Sequence, residues 1–285
     1  MKKILVYIFP LALFLVSCDR EAKDITPPVV EAQLVVFSFL SPEDSLVKVE
    51  VSMSQPVYGY KRGSNSSNRY VEDAVVTIKN DGGFSATLTY VDTSHVYVVA
   101  TSAYPIEPGR TYTVAVSGRG KYVSGSCTVP KDTVQFSDIT YEKRTDIDGT
   151  HNTYLYKWKD EPGTTNYYRT TLESQYTYID FFGDTTTYPN ELCSNMYSDE
   201  NRNGQQFSGT CDGYTFYGSS DTASIPVDFY LLNTDIHYYE YHKRRLNYYG
   251  DDPFSEPFQQ YSNVKDGLGV ISAYRLTKKT LIAKP

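Results

Sequence analysis

In the stretch LVKVEVSM, residues Val47, Val49 and Val51 alternate with Lys48 and Glu50. Only an extended strand, whose side chains point to opposite faces with a period of two, sorts these residues into one apolar and one charged face. The pattern recurs between Ala32 and Pro130 in AQLVVFSF, DAVVTIKN, FSATLTYV, HVYVVAT, TYTVAVSG and KYVSGSCTV. The breaks carry turn chemistry, as in Ser41-Pro42-Glu43-Asp44, Asp81-Gly82-Gly83 and Glu107-Pro108-Gly109-Arg110. Each strand needs a second sheet to cover its apolar face, so about seven of them in this span predict a sandwich.

The pattern changes at Pro130, which sets a domain boundary. Residues 131–285 resume strands in YLYKWKD, NYYRTTLES and YTYIDFFG, followed by a long polar region from Asp184 to Ser220. VDFYLLNTDIHYYEYHKRRLNYYG contains a helix near 235–249. Thr234 is its expected N-cap, and Asp235 sits in the first turn, where it suits the dipole. Ile236, Tyr239, Leu246 and Tyr249 recur at helical spacing, and Gly250 ends the element. Lys243, Arg244 and Arg245 read as solvated charges complementing the dipole, with a lipid-headgroup contact as the alternative. GVISAYRLTKKTLI closes the chain as a last strand or strand pair. The expected fold is mainly β: an immunoglobulin- or transthyretin-like sandwich over 31–130, then a β-rich domain over 131–285 with one inserted helix. The 28 tyrosines suit half-buried strand faces, or else a glycan- or peptide-binding platform.

The N-terminus sets the expected location. Lys2 and Lys3 precede an apolar run from Ile4 to Val16, the layout of a secretory signal peptide over residues 1–17. The run is shorter than the roughly 20 apolar residues a spanning helix needs. Leu15-Val16-Ser17-Cys18 resembles the bacterial lipobox, which makes Cys18 the expected lipidation site. The acidic residues after it resemble the outer-membrane surface-export signal of Bacteroidota, whereas in enterobacteria an Asp directly after the cysteine signals inner-membrane retention. Residues 18–30, with Asp19, Glu21, Asp24 and Pro27-Pro28, read as a tether. The full chain has 27 basic and 34 acidic residues, and losing Lys2 and Lys3 leaves about −9. That excludes a nucleic-acid partner that would call for a basic face.

Little catalytic chemistry is legible. Cys193 and Cys211 are candidates for a loop-closing disulfide, and Cys127 in SGSCTV reads as a buried strand thiol. Asp199, Asn201, Asn203 and Gly204 match the head of a calcium loop, but the twelfth position is Thr210, so the closing carboxylate is missing. A polar hairpin turn explains these residues equally well, and no cofactor is expected. His95, His151, His237 and His242 form no metal-ligand spacing; His237 and His242 stand five apart on the helix. Asp251-Asp252 is adjacent in a loop, unlike the opposed carboxylates of a glycosidase. GYKRGSNSSNR, residues 59–69, reads as a long exposed loop.

DPFSEPFQQYSNVKDGLGVISAY, Asp252 to Tyr274, resembles the C-terminal signature of a Bacteroidota lipoprotein family known as domain of unknown function 4249. SMSQPVYG, VEDAVVTIKN, YSDENRNGQQF and YYEYHKRRLNYY are similar to other parts of that family, so the resemblance spans nearly the whole mature chain. Gly-Val-Ile-Ser-Ala stands where Gly-Val-Phe-Gly-Ala is more usual. The resemblance implies a cell-surface outer-membrane lipoprotein that works beside a TonB-dependent receptor as an accessory or substrate-capture subunit. A free-standing glycan- or peptide-binding lipoprotein is the alternative. An envelope hydrolase ranks third, because it would need convergent carboxylates or a Ser/His pair in a cleft.

Overall fold

The computed structural model describes residues 31–55, 69–147, 149–179, 182–213, 225–246 and 260–283. The signal peptide, Cys18, the tether, nearly all of the 59–69 loop, Tyr249, Gly250, Asp251 and the start of the C-terminal signature lie outside them.

The alternating segments form the expected strands: β1 (Leu34–Leu40), β2 (Leu46–Met53), β3 (Val75–Asn80), β6 (Val96–Ala100), β7 (Thr111–Gly118) and β8 (Lys121–Thr128). FSATLTYV departs from expectation. It divides into β4 (Ser85–Thr87) and β5 (Thr89–Val91), with buried Leu88 between them. β4 pairs with β3, whereas β5 pairs with β6 in a different sheet. The chain therefore changes sheets at Leu88, whose side chain anchors the crossing in the core.

One sheet has four strands in the order β4-β3-β7-β8, and β1, β2, β6 and β5 belong to an eight-stranded sheet. Val36, Val47, Val49 and Val51 from the larger sheet and Val76, Ile78, Val114, Val116 and Val123 from the smaller one join a single apolar cluster. Each is one of the inward positions of the period-two pattern, and burying a Val or Ile side chain contributes about 1.5–3 kcal/mol.

The rest of the chain is also mainly β. β9 (Phe136–Asp146), β10 (Gly149–Lys159) and β13 (Gln206–Gly213) form a three-stranded sheet in the order β13-β10-β9. β11 (Tyr167–Ile179), β12 (Thr185–Ser198), β14 (Ile225–Thr234) and β15 (Leu268–Ala283) complete the eight-stranded sheet, ordered β12-β11-β14-β15-β1-β2-β6-β5. Trp158, Tyr156, Tyr168, Phe207 and Phe229 fill the second core. The polar region after Asp184 thus holds two strands where sequence reading saw none. β12 is an edge strand whose described side chains are mostly exposed or half-buried, so it lacks the apolar alternation that marks strands.

β15 links the two cores. Its first part pairs in parallel with β1, from Val35–Leu268 to Leu40–Ala273. From Tyr274 onward it is paired antiparallel with β14. Ile271 and Ala273 enter the first core and Ala283 the second. Cores thus divide near Pro130, while the last strand returns across that division. Gly269 makes the parallel contact feasible: its φ is 111°, and a Cβ there would lie 2.0 Å from Val36 O.

The helix α1 (Ile236–Leu246) begins one residue later than the N-cap expectation implied. Thr234 closes β14 and donates its hydroxyl to Tyr167 O (3.3 Å). Asp235 is the cap: its Oδ1 accepts the Tyr238 N–H at 2.8 Å. The buried face keeps Tyr239 of the expected set but differs otherwise. Tyr238, Tyr239 and Tyr241 are buried, while Ile236 and Leu246 are 38% and 41% exposed. An aromatic surface beneath the helix selects the tyrosines over the aliphatic residues.

Candidate functional site

α1 lies against the outward side chains of β1 and β15. Phe37 meets Tyr241 at 5.7 Å between ring centroids, and Phe39 lies 5.7 Å from Tyr238 and 5.5 Å from His242. Tyr274 of β15 lies 5.7 Å from Tyr238. Tyr238, Tyr241 and His242 share one helix face because residues three and four apart are neighbours. Tilted and edge-on ring contacts of this kind add about 0.5–1.5 kcal/mol beyond area burial.

Polar groups fix the edges of this aromatic layer. Arg169 on β11 donates from Nη1 to the Tyr238 hydroxyl and from Nε to Ser194 Oγ, both at 2.9 Å. Its Nη2 lies 3.7 Å from Glu191. The Tyr274 hydroxyl donates to Asp44 Oδ2 at 2.9 Å. Burial, reinforced by Arg169 and Arg245, lowers the His242 pKa to about 3, so the ring is neutral at physiological pH. Burial raises the Asp44 pKa against the opposing Tyr274 hydrogen bond. Both groups serve as packing and hydrogen-bonding elements.

Beside this layer a groove of about 370 Å³ is lined by residues including Phe37, Phe39, Asp44, Lys48, Glu50 and Tyr274. Its size lies at the lower end for small-ligand sites. Lys48 and Glu50 stand two apart on β2, so they share the sheet face that carries the groove. A cation and an anion beside two phenyl rings give the groove an amphipathic lining.

The residues singled out in the sequence fall elsewhere. Cys193 and Cys211 are bonded, tying β12 to β13 with a Cα separation of 6.1 Å. Cys127 is a buried free thiol on β8, and burial raises its pKa. Asn203 is held in place: its Nδ2 donates to Thr164 O (2.7 Å) and Asp199 Oδ2 (3.1 Å), and its Oδ1 accepts the Gly163 N–H (2.8 Å). Asn201 has φ 64°. Asp199, Asn201 and Asn203 therefore build a turn fastened to the 160–166 segment. His237 lies 2.6 Å from the Tyr261 hydroxyl.

Tyr97, Tyr104, Tyr112, Tyr154, Tyr156 and Tyr168 are buried in the two cores. Strongly exposed Tyr122 and Tyr188 lie on β8 and β12, in separate sheets, so they make no common platform. Sequence reasoning missed two arrangements. The groove draws on β1, β2 and β15, and no local spacing reveals that convergence. Among the described residues, Glu72, Asp92 and His95 can offer ligand atoms to one cation; their uneven spacing matches no ligand motif.

Comparison with curated proteins finds no match. The family model described as "Domain of unknown function (DUF4249)" matches residues 22–280, which takes in every described strand except the end of β15, and the chain belongs to that family.

Proposed function

We propose that this chain is an outer-membrane lipoprotein, anchored through Cys18 at the cell surface, that binds a TonB-dependent transporter as an accessory or substrate-capture subunit. The carrying observation is the Leu15-Val16-Ser17-Cys18 segment followed by an acidic, proline-containing stretch ahead of the β-rich body. Lipid chains attached at Cys18 hold such a body at a membrane, since each buried methylene contributes about 0.8 kcal/mol. The groove beside α1 supplies an amphipathic contact surface on that body. Among the described tyrosines the strongly exposed Tyr122 and Tyr188 lie in separate sheets, which favours this reading over a glycan platform, and we read the protein as a binder rather than an enzyme.

The test is affinity purification of the full-length lipidated protein from detergent extracts, followed by mass spectrometry. A stoichiometric TonB-dependent receptor in the eluate is the expected result. Recovery of the protein alone from gently solubilised membranes would contradict the reading.

A further inference from the structure

Glu72, Asp92 and His95 each present a ligand atom, and all three atoms lie within 4.8 Å of one another. They come from two segments. Glu72 follows Tyr70, which bridges to Ser52 of β2. Asp92 opens the 3-10 turn after β5, and His95 closes it. This turn leads directly into β6, so the strand pairing of β5 with β6 sets the positions of both residues.

The imidazole of His95 is oriented by two neighbours. The Tyr70 ring stacks on it at 4.5 Å with an interplanar angle of 4°. The Tyr90 hydroxyl and His95 Nδ1 share a hydrogen bond of 3.1 Å. When Nδ1 carries the proton and donates to that hydroxyl, Nε2 is left as the ligand nitrogen, which is how metal-binding histidines are commonly held. Two carboxylates and a neutral imidazole carry a charge that a divalent cation offsets. Carboxylates alone favour calcium or magnesium, whereas imidazole shifts preference toward zinc and its neighbours. The three side chains are exposed, so water can complete the coordination of an ion with three protein ligands.

We propose that Glu72, Asp92 and His95 form a binding site for a divalent transition-metal ion, with zinc the best-matched occupant. The ion clamps the segment after Tyr70 to the β5–β6 turn. The site is separate from the α1 groove and does not depend on the transporter reading.

The test is calorimetric titration of the full-length, detergent-solubilised protein with zinc chloride alone. One zinc per chain is expected. His95→Ala and Glu72→Gln each weaken binding by about tenfold or more. Asp138→Asn, which removes an exposed carboxylate on β9, leaves it unchanged. Unfolding followed by fluorescence of Trp158 checks that each variant is folded, and Glu72→Gln carries the test if His95→Ala is not. Excess calcium should fail to displace the zinc. Absence of saturable binding, binding that survives in both Glu72→Gln and folded His95→Ala, or ready displacement by calcium would overturn the proposal.

Discussion

Asp235 holds a carboxylate in a place that disfavours its charge. Oδ1 caps α1, while Oδ2 is buried without a hydrogen-bond partner. Burial outweighs the nearby backbone donors and raises its pKa from 3.8 to about 7. At about 1.4 kcal/mol per pH unit, ionised Asp235 is destabilised in the folded chain by about 4 kcal/mol. Between pH 4 and 7 the folded state holds a proton that the unfolded state has released. This contribution to stability therefore falls as pH rises through that window and is level above it. Asp235→Asn stays neutral and retains an oxygen that can cap Tyr238. Relative to wild type it should be near-neutral at pH 4 and more stable by up to about 4 kcal/mol at pH 8. The difference between the two proteins is the informative quantity, because His242 acts in the opposite sense. Its folded pKa near 3 against an ordinary 6.5 means stability is lost as pH falls below 6.5. Urea unfolding at several pH values, followed through Trp158, the single and fully buried tryptophan, measures the difference. A gap that is constant with pH, or that widens toward acid, would show that Asp235 is not held protonated by its burial.

Gly269→Ala drives a methyl group into Val36 O at a φ of 111°, so a loss of about 4 kcal/mol or more is expected in the same denaturation assay. Cys193→Ser opens a cross-link spanning 18 residues; a loss of about 3 kcal/mol in non-reducing urea, abolished when both proteins are reduced, is the expected result. Calcium at millimolar concentration should leave the melting temperature unchanged, because Asn203 is committed to Thr164, Gly163 and Asp199; a clear rise in a thermal scan would contradict that assignment.

Strands that bury one face were legible, because Val47, Val49 and Val51 alternate with charged neighbours. Edge strand β12 was not, since exposure removes the selection for alternating apolar residues. The division of FSATLTYV at Leu88 was hidden because period-two alternation says which face is buried, not which sheet supplies the partner. The helix was readable from its spacing, but its buried face depended on Phe37 and Phe39 about 200 positions earlier. The close approach of the Val36 backbone to Gly269 follows from the parallel pairing of β15 with β1, which no local spacing records. The groove and the Glu72–Asp92–His95 cluster arise from tertiary convergence, and sequence spacing carries no record of either.

Site-specific photo-crosslinking from the groove in intact cells tests whether a TonB-dependent transporter docks there. A photoreactive residue replaces Lys48, an exposed side chain lining that groove, in the full-length protein. A covalent adduct with a TonB-dependent receptor, identified by mass spectrometry and missing when the probe sits at exposed Tyr122 on β8, is the expected result. A correctly anchored protein that forms no adduct from the groove, or one that crosslinks equally from both positions, would contradict it.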